Sequence, residues 1–201
     1  MKEGLAVLIP AAGASRRYGQ GAKQMLPWQD TTLLGHCIRN ALSLDPLHCG
    51  VIIGAYHDEV RAECGRSGAT AYFAEAWPEG MGRSIAQGTE LVLAAVPGIS
   101  RMLLLLPDQP LVSTDHLQEL CARSAASDHL VATAYPDGLA GAPAVIPRPW
   151  FNDLLQLSGD SGARNLLRSG PDKVLVACPA SDLEEVDSPD DYQRLLGSAG
   201  S

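Results

Sequence analysis

The sequence lacks the long apolar run and the metal-binding motifs that mark several common classes of protein. Its longest apolar stretches, residues 91–96 and 102–106, are much shorter than the roughly 20 residues of a membrane-spanning helix. The five cysteines show no CxxC spacing and the five histidines form no HExxH motif, so neither residue type indicates a zinc site. Scattered single cysteines are typical of a reduced compartment. We therefore expect a cytoplasmic protein that does not span a membrane.

An excess of basic residues is also absent. The 201 residues include 15 Lys plus Arg against 23 Asp plus Glu, which gives a formal net charge of −8. Nucleic acids and anionic membrane surfaces are bound by clustered Lys and Arg, so neither is expected as a partner. One small anionic ligand held by two or three local cations remains compatible with this charge. The 46% of hydrophobic residues indicates a folded core and not disorder.

Strand-like apolar runs alternate with helical patterns along the chain. The runs are continuous, which is typical of a parallel sheet covered on both faces. They cover residues 5–9, 50–53, 70–73, 101–106, 130–134, 144–146 and 173–176. Helices are predicted over residues 32–44, 58–66, 83–96, 114–125, 150–157 and 161–168, and from Ser188, an expected N-cap followed by Pro189. Residues 135–149, rich in Gly, Ala and Pro, are expected to be irregular.

This alternation predicts the fold class. We expect an α/β protein with a single doubly wound, mostly parallel sheet flanked by helices. The sequence shows no repeat, low-complexity segment or linker, so residues 1–201 are predicted to form one domain.

A loop of small residues follows the first predicted strand. In open α/β sheets ligands bind beyond the carboxyl ends of strands, and residues 11–14 let a ligand approach the backbone N–H groups closely. Arg17 and Lys23 add two cations that could neutralise phosphates. A solvated turn followed by a charged loop is the alternative. The loop is neither a GxxxxGK[ST] nor a GxGxxG motif, which argues against a P-loop and a dinucleotide fold.

An aspartate follows the most apolar strand. Asp108 lies between Pro107 and Pro110, and a carboxylate at the end of a central strand is well placed to hold Mg²⁺. The alternative is an aspartate that shapes a tight turn.

Two further segments offer polar groups near helix starts. Gly82 and Ser84 could hydrogen-bond a base edge or a phosphate, or Ser84 could simply cap the helix. Residues 159–164 read GDSGAR, which contains the GDSG string of certain serine proteases. Those proteases pair the string with an earlier His and Asp on an all-β scaffold, so the α/β pattern of this chain argues against them. This segment is predicted to be a ligand-facing loop or a helix cap. Asp187 is a capping neighbour or a second metal ligand.

Taken together, these motifs resemble the nucleotidyltransferase superfamily of GT-A-like fold, and within it the molybdenum cofactor nucleotidyltransferases. The opening signature AAGxSxRxG with a following Lys is met by Ala11, Ala12, Gly13, Ser15, Arg17, Gly19 and Lys23. Later motifs are GMGxS at residues 80–84, DQP at 108–110, GDxGAR at 159–164 and DxPxD at 187–191. Two departures are Tyr18, where the family usually has Met or Phe, and a longer gap from Gly19 to Lys23.

The resemblance implies a substrate pair. Members that use CTP tend to open with AAG and members that use GTP with AGG, so this chain resembles the cytidylyltransferases that make molybdopterin cytosine dinucleotide. The implied cofactor is Mg²⁺, and the implied partners are CTP (or GTP), a small phosphate acceptor such as molybdopterin, and a molybdoenzyme. Residues 1–112 would bind the nucleotide, and residues 113–201 would face the acceptor. The sequence predicts no particular oligomeric state.

The resemblance also implies roles for individual residues. The catalytic residues would be Arg17, Lys23 and Asp108, and the metal ligands Asp108 and Asp187. Nucleotide contacts would come from Pro10, Ala11, Ala12, Gly13, Arg17, Lys23, Gly82, Ser84 and Asp108. Acceptor contacts would come from Gly141, Pro143, Asp160 and Arg164.

Other functions stay open from the sequence. The same chemistry could serve a sugar phosphate, a polyol phosphate or another small phosphate acceptor. The opening PAAG and the Lys23–Gln24 pair also resemble the cytidylyltransferases of isoprenoid synthesis. A non-catalytic chaperone that binds nucleotide and passes cofactor to a partner is a third hypothesis. A Rossmann oxidoreductase fits least, because the glycine fingerprint is absent.

Overall fold

The computed structural model describes residues 4–15, 17–19, 21–170 and 172–199. Its strands are β1 (Leu5–Pro10), β2 (Pro27–Trp28), β3 (Thr31–Thr32), β4 (His48–Ile53), β5 (Thr70–Phe73), β6 (Arg101–Leu104), β7 (Val131–Ala134), β8 (Ala140–Pro147) and β9 (Val174–Ala177). Its α-helices are α1 (Leu33–Leu42), α2 (His57–Ser67), α3 (Met81–Ala95), α4 (Thr114–Ala125), α5 (Phe151–Leu155), α6 (Arg164–Ser169) and α7 (Pro189–Ala199).

Seven strands form one sheet in the order β5-β4-β1-β6-β8-β7-β9. Strand β1 pairs in parallel with β4 and β6, β4 pairs in parallel with β5, and β7 pairs in parallel with β9. Only β8 within this sheet runs antiparallel to its neighbours, β6 and β7. The prediction of an α/β fold with a mostly parallel sheet flanked by helices is confirmed.

The central strand β1 packs on both faces. Leu5, Val7 and Ile9 join one core cluster, whereas Ala6 and Leu8 join the other. Successive side chains of a strand point to opposite faces, so this continuous apolar run supplies both layers. Burying each large aliphatic side chain contributes about 1.5–3 kcal/mol, before the entropy of ordering is subtracted.

Three of the cysteines are buried core side chains. Cys37, Cys49 and Cys64 are buried free thiols in the same core cluster. Burial raises the pKa of Cys49 to about 12. A thiol that stays protonated at neutral pH is a poor nucleophile and metal ligand, so these cysteines serve packing.

The observed helix ends agree with the ends predicted from the sequence at some positions and differ at others. The predicted N-cap of α7 is confirmed: Ser188 Oγ accepts from Asp191 N–H at 3.2 Å, and Asp191 Oδ2 accepts from Ser188 N–H at 2.9 Å. The helix predicted from residue 161 begins only at Arg164, so Ser161 is not its cap. Likewise α3 begins at Met81, which places Ser84 inside the first turn and not at the cap.

The prediction that residues 135–149 are irregular is wrong for most of that segment. Strand β8 crosses it and pairs with β6 on one side and β7 on the other. The register against β7 shifts between Ala132 and Thr133, which face Ala144 and Gly141. Residues 142–143 are therefore the extra residues of a bulge, and a bulge accommodates a proline that lacks an N–H.

The parallel strands β1, β4 and β6 bring their carboxyl ends to one edge of the sheet. The loops after Pro10, Ile53 and Leu104 therefore meet there, next to the start of α3. No helix in the described part of the chain is long and apolar enough to cross a membrane.

Candidate active site

The loop after β1 is closed by its own side chains. Ser15, with a positive φ of 50°, accepts a hydrogen bond on Oγ from Lys23 N–H at 3.0 Å and donates to Gln24 Oε1 at 3.3 Å. The buried Gln24 donates from Nε2 to Ala11 O at 3.0 Å. These bonds bring Lys23 back beneath the small residues of the loop, so the sequence motif folds as one unit.

The Lys23 ammonium lies among oxygen acceptors from distant parts of the chain. Its Nζ donates to Asp108 Oδ2 at 2.6 Å, to Val186 O at 3.0 Å and to Asp187 Oδ1 at 3.1 Å. Burial acts to lower the pKa of Lys23, but the carboxylates of Asp108 and Asp187 together outweigh burial and raise it. Lys23 is therefore charged at neutral pH and neutralises part of an acidic cluster.

A third carboxylate, which the sequence did not predict, completes that cluster. Asp108, Glu185 and Asp187 each offer a carboxylate oxygen, and these oxygens lie within 4.8 Å of one another. Burial raises the pKa of Glu185, and the nearby Asp108 and Asp187 raise it further. Like charges at this spacing repel, so the cluster favours a bound cation.

The signal for Glu185 is the local pattern around a buried valine. Val186 is fully buried, and its N–H donates to Asp108 O at 2.9 Å. In an extended segment, residues on either side of a buried one face the same way. Glu185 and Asp187 flank Val186, so anchoring the valine directs both carboxylates to Asp108.

The donor set of this cluster fits a divalent cation. Carboxylate oxygens are the protein ligands that Mg²⁺ and Mn²⁺ prefer, and three of them exceed the single charge of Lys23. Asp108 and Asp187, the two predicted ligands, are brought together here. Arg17, whose side chain is 80% exposed, pairs with Asp187 Oδ2 at 2.8 Å. It adds a second, exposed cation to the site.

A pocket of about 240 Å³ lies on one side of the cluster. It is lined by the end of β1 and the loop after it, by the segment that leads into α3 with the first turn of α3, and by the loop before α6: Pro10, Ala12, Gly13, Ala14, Trp77, Pro78, Gly80, Met81, Ser84 and Asp160. Four predicted nucleotide contacts, Pro10, Ala12, Gly13 and Ser84, line this pocket. Ala11 lines the adjoining pocket of about 280 Å³ that contains Arg17, Lys23, Asp108 and Asp187. We call these the nucleoside pocket and the phosphate pocket, after the parts of the ligand that the sequence leads us to expect there.

Gly82 differs from its predicted placement. Its N–H donates to Gly159 O at 2.8 Å, and a Cβ at this position would come within 2.5 Å of Ser158 O. Gly82 is therefore buried against the loop of residues 158–159 and does not line the nucleoside pocket. The glycine is required because the loop packs directly on the helix backbone.

A third pocket, of about 120 Å³, lies on the other side of the cluster. We call it the acceptor pocket, because two of the residues expected from the sequence to contact the acceptor, Gly141 and Arg164, line it together with Tyr135, Ala142 and Arg168. The other two predicted acceptor residues lie elsewhere. Pro143 is buried in β8, where its carbonyl accepts from Thr133 Oγ1 at 2.7 Å, and Asp160 lines the nucleoside pocket.

The three pockets form one continuous cleft. Met81, the first residue of α3, lines all three. Arg164 and Glu185 line both the phosphate pocket and the acceptor pocket. The phosphate pocket, which contains the carboxylates, therefore adjoins both of the other pockets.

The doubly wound sheet, the small-residue loop and the lysine–carboxylate cluster at its carboxyl edge define a nucleotidyltransferase. A nucleotidyl transferase from Methanothermobacter thermautotroptrophicus shares the fold, with a TM-score of 0.79, 20% identity and 96% coverage of both chains. The chain matches the MobA-like NTP transferase domain over residues 7–177 and belongs to that family.

Curated relatives of the chain carry different names. The chain is 31% identical to the purine catabolism protein PucB of Bacillus subtilis, with 92% of each chain covered. It is 27% identical to the molybdenum cofactor cytidylyltransferase of Escherichia coli, again over 92% of each chain. It is 30% identical to the nicotine blue oxidoreductase of Paenarthrobacter nicotinovorans, covering 94% of this chain and 95% of that one.

A solved structure of Rv0371c from Mycobacterium tuberculosis in complex with manganese is also similar. It has a TM-score of 0.77 and 29% identity, and the match covers 96% of this chain and 98% of that one.

Charge crowding at Glu185 has a consequence for stability. With metal removed by EDTA, Glu185→Gln is expected to unfold at a higher temperature than the parent at pH 7. A carboxyl whose pKa is raised by folding contributes stability that is present at low pH and lost as the pH rises through the folded pKa. The difference between the two proteins should therefore shrink as the pH falls towards 5.

Thermal unfolding at both pH values measures this difference. Glu119→Gln is the matched control, because Glu119 forms an exposed ion pair with Arg123 on α4. A Glu185→Gln protein that unfolds at a lower temperature than the parent at pH 7 would contradict the expectation.

Proposed function

We propose that this protein transfers CMP from CTP to molybdopterin and releases pyrophosphate, in a reaction that depends on Mg²⁺. The observation that carries the proposal is the position of the lysine–carboxylate cluster, between a nucleoside-sized pocket and a pocket lined by two arginines. The AAG opening at residues 11–13 and the likeness to a molybdenum cofactor cytidylyltransferase support CTP and molybdopterin.

The reaction needs positioning and charge neutralisation more than covalent help from the protein. An oxygen of the acceptor phosphate forms a bond to the α-phosphorus of CTP. The bond from that phosphorus to the oxygen bridging to the β-phosphate breaks, and pyrophosphate leaves with the electron pair. A divalent ion held by Asp108, Glu185 and Asp187 would neutralise part of the phosphate charge.

The cations of the phosphate pocket have a role at the leaving group. Lys23 would move its ammonium from the carboxylates to the β- and γ-phosphates, and Arg17 would close on them from the exposed side. Charge grows on pyrophosphate as it departs, and donors already in place stabilise that charge. Asp108 and Asp187, with Glu185, would hold the ion.

The two outer pockets separate the substrates. Backbone groups of residues 10–13 and the Ser84 hydroxyl would frame cytosine and ribose, with Gly82 supporting the wall from behind. Arg164 would contact the acceptor phosphate next to the carboxylates, and Gly141 would form the opposite wall. The first part of the chain, to about residue 112, would supply most contacts to the nucleotide and the second part most contacts to the acceptor, with Asp160 and Met81 each lining the pocket of the other part.

A second candidate exists for the acceptor. PucB and the nicotine blue oxidoreductase are as similar to this chain as the molybdenum cofactor enzyme. The second candidate is therefore nucleotidyl transfer to a different small phosphate acceptor through the same cluster. A cytoplasmic location, and a molybdoenzyme that receives the product, follow from the first candidate.

Pyrophosphate release tests both candidates. The purified protein is given Mg²⁺ and molybdopterin with either CTP or GTP, and then a panel of sugar and polyol phosphates with CTP. We expect release with CTP and molybdopterin. Release with the panel alone selects the second candidate, and the absence of release with every acceptor overturns both.

The unfolding temperature, measured with Mg²⁺ and either CTP or GTP, shows independently which nucleotide the protein prefers. A nucleotide present at 100 times its dissociation constant stabilises the folded state by about 2.7 kcal/mol. CTP should raise the unfolding temperature more than GTP does. A larger rise with GTP would contradict the assignment of CTP.

A further inference from the structure

Gln109 connects the carboxylate cluster to a tyrosine of the sheet. It follows Asp108 directly and is only 4% exposed. Its Nε2 donates to Glu185 Oε1 at 3.2 Å and to Tyr135 Oη at 2.6 Å. The two hydrogens of this buried amide are therefore both used: one binds Glu185, a candidate metal ligand, and the other binds Tyr135.

Tyr135 extends this connection to the acceptor pocket. Its hydroxyl donates to Ala142 O at 2.8 Å. Its ring lies against Gly141, where a Cβ would come within 2.4 Å of the ring. Because Tyr135, Gly141 and Ala142 all line the acceptor pocket, the hydrogen bonds run without a break from Glu185 to its wall.

We propose that Gln109 is a positioning residue that fixes Glu185 for metal binding and, through Tyr135, sets the wall of the acceptor pocket. The inference rests on the proposed nucleotidyl transfer, and it assigns Gln109 no contact with a substrate. A carboxylate that accepts on Oε1 keeps its other oxygen for an ion. Fixing the orientation of a ligand from outside the coordination shell strengthens metal binding.

The chemistry of the side chain supports this role. Gln109 Oε1 is buried and has no hydrogen-bond partner among the described residues. The amide thus leaves its acceptor unsatisfied while both hydrogens of Nε2 are used, an arrangement that packing alone does not favour. A carboxylate at this position would add a fourth negative charge beside Glu185, and an aliphatic side chain would donate to neither partner.

The first measurement is Mn²⁺ affinity of the full chain without nucleotide, by calorimetry or by the electron paramagnetic resonance of free Mn²⁺. Gln109→Leu removes both donors at similar volume and is expected to weaken Mn²⁺ binding about tenfold. Thr89→Val is the control, because it deletes a buried hydrogen bond, from Thr89 Oγ1 to Ile85 O, outside the cluster. Near-UV circular dichroism establishes that each variant is folded.

Tyr135→Phe separates the two halves of the proposal. The phenyl ring keeps its contact with Gly141, but the hydroxyl that joins Gln109 to Ala142 is lost. We expect Mn²⁺ affinity within about twofold of the parent and a KM for molybdopterin raised several-fold, because only the pocket wall is released. Gln109→Leu should show both effects.

The double variant Gln109→Leu/Glu185→Gln tests whether Gln109 acts through Glu185. If it does, the double variant binds Mn²⁺ no more weakly than Glu185→Gln alone, because the two losses are not additive. A folded Gln109→Leu protein with parental Mn²⁺ affinity, or additive losses, overturns the inference. Mn²⁺ binding involves neither CTP nor acceptor. The Mn²⁺ result can therefore support the role of Gln109 even if molybdopterin is not the acceptor, and it can contradict that role even if molybdopterin is the acceptor.

Discussion

Replacing Asp108 with asparagine is expected to lower the rate of pyrophosphate release on the order of 10³-fold while leaving the fold intact. Asparagine keeps the shape of the side chain but loses the charge that both Lys23 Nζ and a divalent ion require. The backbone carbonyl of residue 108 still accepts from Val186 N–H, so the approach of Glu185 and Asp187 is preserved.

Two comparisons make the Asp108 result specific. Asp30→Asn removes an aspartate from an exposed ion pair with Arg39, outside the cleft, and should leave the rate unchanged. Raising the Mn²⁺ concentration should restore part of the activity of Asp108→Asn if Asp108 binds the ion. Activity within about tenfold of the parent at low metal would contradict a role for Asp108 as a ligand.

The parts of the site that follow a strand could be predicted from the sequence. The small-residue loop follows β1 and Asp108 follows β6, and parallel neighbours end at the same edge. Hydrophobic runs locate such strands, so proximity of the loop and Asp108 follows from the pattern alone. Lys23 and Asp108 are 85 positions apart in the chain, yet Lys23 Nζ lies 2.6 Å from Asp108 Oδ2.

The parts that depend on irregular backbone could not be predicted in the same way. Glu185 lies between β9 and α7, where no periodicity indicates which side chains face the cleft. Its position depends on Val186, which a core cluster with Trp28 and Leu33 buries. Only residues 144–146 of β8 were predicted as a strand, because Gly and Pro are depleted in ordinary strands. Pairing on both sides, with a bulge, stabilises the rest of this strand.

Replacing Lys23 with methionine is expected to affect both catalysis and stability. Pyrophosphate release should fall about 10²–10³-fold, because the donor that offsets charge on the leaving group is lost. In EDTA at pH 7 the free energy of unfolding should fall by about 1–3 kcal/mol, because three carboxylates are then left without their central cation. The raised pKa of Lys23 places its whole stabilising effect at pH 7, to be lost only at alkaline pH.

Arg17→Met is the matched comparison for Lys23→Met. Both cations pair with Asp187, but Arg17 is 80% exposed and Lys23 only 19%. An exposed ion pair contributes about 0–1 kcal/mol, so Arg17→Met should lose activity with little loss of stability in urea unfolding. Mn²⁺ should restore more stability to Lys23→Met than to Arg17→Met, because the ion replaces the missing positive charge among the carboxylates. If Lys23→Met is as stable as the parent in EDTA, the ammonium does not neutralise the cluster, and the carboxylates must tolerate one another without it.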